Sequence, residues 1–186
     1  MAPILGIYAS QISGHLSTNN FSSIATVTVG SGGASSITFS SIPSTYTHLQ
    51  VRAFIKSART STDSDSLYVL VNSDGTAADY ANHGIYGNGS TASSFENVTS
   101  AQLLPYIAPL STATNIGGVA ILDILDYSNT NKFKTVRGIG GFDINGSGYL
   151  SFGSYLWQNT GAINTLYFLM NANFVQYTSF ALYGVK

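Results

Sequence analysis

Apolar and polar side chains alternate with a period of two over most of the chain, and the alternation breaks wherever Gly, Asn, Asp and Ser gather. The clearest case is 47–56, where Leu49, Val51, Ala53 and Ile55 fall on one parity and Gln50, Arg52 and Lys56 on the other. Successive side chains of a strand point to opposite faces, so this segment reads as a half-buried strand. The same reading predicts strands over 23–29, 36–40, 67–72, 80–86, 102–107, 118–127, 132–142, 148–157, 163–171 and 175–185. Asn72-Ser73-Asp74-Gly75, Asn129-Thr130-Asn131 and 143–148 carry turn residues, while 57–66 and 87–94 read as polar loops. Residues 116–125 are almost continuously apolar, a pattern that suits a strand buried on both faces. No window of a dozen residues repeats apolar positions at helical spacing.

So many short strands, joined by mostly polar turns, predict an all-β chain: a single antiparallel β-sandwich, jelly-roll-like, over 21–186. Residues 1–20 lack a strand pattern. There Ile4, Leu5, Ile7, Tyr8 and Ile12 form an apolar patch ahead of a polar hinge, Ser17-Thr18-Asn19-Asn20. This predicts an extended N-terminal docking arm, which either lies over the open end of its own domain or reaches a neighbouring subunit.

Composition narrows the function. Charged residues make up 8% of the chain, against a usual level of about 25%. With seven Lys+Arg and a net charge of −1, the chain cannot supply the phosphate contacts that drive nucleic-acid binding, so no nucleic-acid partner is expected. A hydrophobic content of 44% and an aromatic content of 12% exclude intrinsic disorder. No apolar run approaches the roughly 20 residues of a membrane span, and the start lacks the basic region of a secretory leader, so neither membrane nor export is expected. Without cysteine there is no disulfide framework, thiolate zinc site or thiol nucleophile. Charge repulsion this weak does little to keep copies apart, which favours self-association.

Candidate chemistry is sparse. His15, His48 and His83 share no metal-ligand spacing. Gly146-Ser147-Gly148 is a turn rather than a nucleophile elbow, and phosphate-binding and dinucleotide fingerprints are missing. Asp63 with Asp65, and Asp143-Ile144-Asn145-Gly146, begin like calcium loops but do not continue as one, so they read as solvated turn carboxylates. Asp123 and Asp126 lie three apart, on opposite faces of a strand, which places one of them in polar or buried surroundings. Asp123 is expected to pair with Arg52 or Arg137, as an ion pair in the core or across a subunit interface. No catalytic residue, cofactor or metal is assigned. The 12 Tyr, 10 Phe and single Trp suit a glycan site and a subunit interface equally well.

Several runs are shared with a known group of proteins. They are Ile4-Leu5-Gly6-Ile7-Tyr8-Ala9-Ser10-Gln11, Ser23-Ile24-Ala25-Thr26-Val27-Thr28-Val29-Gly30, Ser36-Ile37-Thr38-Phe39 with Ile42-Pro43, and Tyr46-Thr47-His48-Leu49-Gln50-Val51-Arg52. Asp123-Ile124-Leu125-Asp126-Tyr127 with Asn129-Thr130-Asn131-Lys132, and the closing Phe180-Ala181-Leu182-Tyr183-Gly184-Val185-Lys186, belong with them. Together they resemble a family of small head-decoration or tail-fibre-like structural proteins of tailed bacteriophages, especially of aquatic hosts. The resemblance covers essentially the whole chain. It implies a non-enzymatic jelly-roll module, made in the host cytoplasm and carried on the exterior of the virion, often as a homotrimer. The implied function is a capsid decoration, or cement, protein whose partner is the major capsid protein or another virion protein. A receptor- or glycan-binding module on a tail or head fibre is the alternative. No catalytic residues come with the resemblance.

Overall fold

The computed structural model describes residues 20–61, 63–109, 113 and 115–186, so the predicted arm with Ile4, Leu5, Ile7, Tyr8 and Ile12 lies outside the described residues. The first four strands are β1 (Phe21–Thr28), β2 (Ala34–Phe39), β3 (His48–Ile55) and β4 (Ser64–Val71). A single 3₁₀ turn, Ala77–Asp79, leads into β5 (Tyr80–Gly87), β6 (Ala92–Asn97) and β7 (Gln102–Pro109). The chain continues through β8 (Gly118–Ile124), β9 (Lys134–Asp143), β10 (Gly148–Trp157), β11 (Leu166–Phe174) and β12 (Ser179–Val185). No α-helix occurs among the described residues.

The strands form two antiparallel sheets packed as a sandwich. The larger has the order β1-β12-β3-β8-β9-β10-β5-β6 and the smaller β2-β11-β4-β7. The chain changes sheet at most of its connections, which gives the sandwich its jelly-roll-like character. The core lies between the sheets. Leu49, Val51 and Ile55 of β3 and Leu122 and Ile124 of β8 contribute from the large sheet. Ile37 and Phe39 of β2, Leu67, Val69 and Val71 of β4, and Leu166 and Phe168 of β11 contribute from the small one. The alternation legible in 47–56 is the observed burial pattern of β3, every second side chain being buried.

Three expectations are corrected. The apolar run 116–125 is not buried on both faces: β8 alternates, leaving Val119 58% and Ile121 41% exposed. The expected loop 87–94 is a hairpin, because β6 pairs with β5 through Ile85↔Ser94 and Gly87↔Ala92. Its sequence, Ala-Ser-Ser-Phe-Glu-Asn, carries only one large apolar side chain, so patterning missed it. The last predicted strand begins late, since Val175–Tyr177 turns between β11 and β12, with Tyr177 at φ 72° and a bond from Thr178 N–H to the Val175 carbonyl.

Asp65 is a fourth departure. Read as a solvated turn carboxylate, it is instead buried near the start of β4. Its Oδ2 accepts from Ser57 Oγ at 2.7 Å and from the Ala172 amide at 3.2 Å. Its Oδ1 accepts from Asn171 Nδ2 at 2.7 Å, the Ser66 amide at 2.8 Å and the Arg59 guanidinium at 3.2 Å. A buried carboxylate is costly unless paired and fully hydrogen-bonded, and this one is both. Asp63, two residues earlier, is exposed.

Buried aromatic side chains also find polar partners. The Tyr80 hydroxyl donates to the Asp74 carbonyl at 2.8 Å and accepts from the Val71 amide at 3.1 Å. Tyr155 donates to the Val69 carbonyl at 2.7 Å, and Trp157 Nε1 to the Asp74 carboxylate at 2.8 Å. The Trp157 bond in turn holds the Asp74 carboxyl below the usual carboxylate range.

Two predictions follow from these contacts. Asp65→Ala removes the acceptor shared by Arg59, Asn171 and Ala172, and urea unfolding is expected to register a loss of about 3–5 kcal/mol. A loss below about 1 kcal/mol would show that these donors find other partners. The second concerns alkali. Burial pushes the Tyr80 phenol up to about 12 and moves Tyr155 further in the same direction, while a tyrosine in the unfolded chain ionises at about 10. The unfolded chain therefore releases protons that the folded chain keeps. Stability is complete below about pH 10 and lost as the pH rises through about 12. Thermal unfolding across that range checks this, and Tyr80→Phe is expected to flatten the decline.

Candidate functional site

The larger sheet has one face on the core and one turned outward. The strand register sorts the outward side chains into rows. One row runs Arg52, Ile121, Ile139, Phe152, Ile85, Ser94 from β3 to β6. The next runs Phe54, Val119, Gly141, Leu150, Gly87, Ala92. On the other side of the first lies a polar row: Gln50, Asp123, Arg137, Ser154, His83, Glu96.

The first two rows make a contiguous apolar patch centred on β9. Phe54, Val119, Ile121, Ile139, Leu150, Phe152 and Ile85 are all exposed, Leu150 and Ile85 to 60%. Scattered exposed apolar residues are ordinary, but seven on adjacent strands of one face form a contiguous patch of the kind that marks candidate interaction surfaces. The second row has Gly141 and Gly87 on the strands where the first has Ile139 and Ile85. Two hollows result on either side of Leu150: one of about 450 Å³ beside Ile139 and Gly141, the other of about 510 Å³ beside Ile85 and Gly87.

The sequence placed Asp123, Arg52 and Arg137 together, and the register brings all three onto this face as exposed side chains. They do not form an ion pair in the core. Among the described residues, the ion pairs within 4.0 Å involve Asp126 and Asp65. Gln50 instead stands between the two charges, donating through Nε2 to Asp123 Oδ1 at 2.8 Å and accepting from Arg52 Nε at 2.9 Å. The Arg52 guanidinium lies over the rings of Phe21 and Tyr183, 5.2 and 5.7 Å from their centroids. Those rings are themselves stacked at 4.7 Å. Arg52 lies next to Tyr183 because β12 pairs with β3, a long-range adjacency that local spacing does not encode.

Asp126 takes the polar, half-buried position foreseen for one of the two aspartates. Its backbone turns into the left-handed region just after β8, at φ 50°. The Lys132 ammonium bonds its carboxylate and holds it below the usual range, while the Asp126 amide donates to His48 Nδ1 at 3.0 Å. His83 is exposed in the polar row, and His15 lies outside the described residues. No cluster of three or more His, Cys, Asp and Glu side chains that could hold a metal occurs among the described residues. Lys134, which patterning did not single out, is fully buried with Nζ donating to the Lys132 and Thr160 carbonyls at 2.9 and 3.0 Å. Burial lowers its pKa.

A second feature closes one end of the sandwich. Tyr106, held at φ 53°, stacks on Tyr149 at 4.6 Å and meets Tyr86 at 4.6 Å. An aromatic residue in the left-handed region is strained, and here the strain sets the ring between its two neighbours. Burial, reinforced by the Tyr86 hydroxyl, raises the Tyr106 phenol. Beside this cluster, turns 87–91 and 143–148 enclose a groove of about 440 Å³ lined by Asn88, Ser90, Asp143, Ser147 and Tyr149. Asp143 is the exposed turn carboxylate expected of it, accepting from the Asn145 amide at 2.7 Å. The other expected recognition loop, 57–66, instead turns Ser57, Ser64 and Asp65 inward.

The chain is thus a two-sheet antiparallel β-sandwich with an apolar outer face that no other described residue covers. It matches no protein-family model and no curated protein.

Proposed function

We propose that this protein is a non-enzymatic structural component of a bacteriophage particle, a capsid decoration protein that docks on the major capsid lattice and reinforces the head. The observation that carries this reading is the apolar outer face of the large sheet, on a chain with 8% charged residues. Such a surface suits permanent burial in an assembly better than life as a free monomer. The resemblance of the sequence supplies the class of assembly. β1, the strand that follows residues 1–19 in the chain, stands at the edge of the large sheet. Full burial of Ile4, Leu5 and Ile7 in a lattice groove contributes about 1.5–3 kcal/mol each, and several copies in one oligomer multiply that through avidity.

The experiment is immunogold labelling of intact virions with antibody to the purified protein. Label spread over heads is the expected result, and label confined to tails would discard the cement reading. Removal of residues 2–17 is expected to leave a folded sandwich that no longer binds heads, as read by co-sedimentation. Retained binding would remove the arm from the docking surface.

A second reading, a glycan-binding module, is favoured by the groove between turns 87–91 and 143–148. It combines the Asn88 amide, the Asp143 carboxylate and the Tyr149 ring at one end of the sandwich. Under this reading a glycan array gives a hit that Asp143→Ala weakens at least tenfold. An empty array leaves the groove as the end of the core.

A further inference from the structure

We propose that the outer face of the large sheet is the interface between two copies of this chain, stacked face to face about a two-fold axis that crosses β9 at Gly140 and runs across the strands. This rests on reading that face as a docking surface, and it names the partner as a second copy.

The register carries the geometry. About such an axis each strand lies over its own copy running the opposite way, and the isoleucine row of one copy faces the glycine row of the other. Ile139 then enters the hollow floored by Gly141 of the second copy, and Ile85 the hollow floored by Gly87. Ile121 meets Val119, and Phe152 meets Leu150. Each contact occurs twice, as an isologous interface requires. The angle of about 30° between packed sheets is accommodated by tilting each copy half of it from the axis.

Charge selects this axis over the other natural one. Along β9, positions 137, 139, 141 and 143 share the outward parity, so inversion about Gly140 sets Arg137 over Asp143 of the second copy. Both are exposed, and neither is among the ion pairs within 4.0 Å of the described residues. An axis running along β9 would instead set Arg137 over Arg137 and Gly141 over Gly141. The area is sufficient as well. Seven large apolar side chains at about half exposure present on the order of 600 Å² per copy, against about 800 Å² per partner in a standard interface, with the polar rim still to be added. A net charge of −1 opposes the approach hardly at all.

The test is the solution mass of the full chain at micromolar concentration, by sedimentation equilibrium. A dimer is expected. Ile139→Asp, on a side chain 46% exposed in the single copy, leaves the fold intact by circular dichroism and weakens the dimer about 30-fold or more. Arg137→Asp and Asp143→Arg each weaken it, and the two together restore it. A monomer, a trimer, a dimer indifferent to Ile139→Asp, or a double swap that fails to restore pairing would each overturn the proposal. A monomer would be the outcome if the chain's own residues 1–19 or a capsid protein covers this face. Mass is read on the purified protein, so failure here leaves the virion labelling to decide the virion reading separately.

Discussion

The carboxylate of Asp65 is where the small sheet is fastened. It gathers Ser57 and Arg59 from the segment after β3, Ser66 from its own strand, and Asn171 and Ala172 from β11. Those groups come from the β3–β4 connection, which runs from the large sheet to the small one, and from β4 and β11, so one acceptor ties both strands to the segment arriving from the large sheet. A chain this poor in charge can bury a carboxylate only because its donors converge. The strand that carries Asp65 also carries Leu67 and Val69 into the core, Val69 beside Phe168 of β11.

The second constraint is how closely β7 lies against the inner face of β9 and β10. Gly140 has no room for a side chain, since a Cβ there would run into the Ile107 side chain of β7 and the backbone carbonyl of Val119. Ser151, on the adjacent strand, donates to the Pro105 carbonyl at 2.7 Å. Among the described residues, nothing packs over the outer side of the same strands. The glycine-rich centre of the large sheet therefore has a filled inner face and an apolar, hollowed outer one.

Much of this architecture is legible in residue order, and the failures have definite causes. Period two in 47–56 identified β3 and its buried parity, because one-sided burial imposes that period on any half-buried strand. Continuous hydrophobicity in 116–125 misled, because it also arises when a strand has a core on one side and exposed apolar side chains on the other. β6 was missed because a polar edge strand is defined by its neighbour, not by its own side chains. The grouping of Asp123 with Arg52 and Arg137 on one face was readable from strand parity. The partners they take were not, since Gln50 meets Asp123 only through the pairing of β3 with β8, and Phe21 and Tyr183 reach Arg52 only through the pairing of β3 with β12 and of β12 with β1.

The sequence by itself determined the all-β class, the approximate strands, the absence of cysteine chemistry and the low charge that favours association. Each is a property of composition or of neighbours along the chain. Only the tertiary structure decided that Asp65 is buried, that 87–94 is a hairpin and that the apolar residues of five strands share one outer face. Those depend on which strands lie side by side, a relation between residues tens of positions apart that no local pattern specifies.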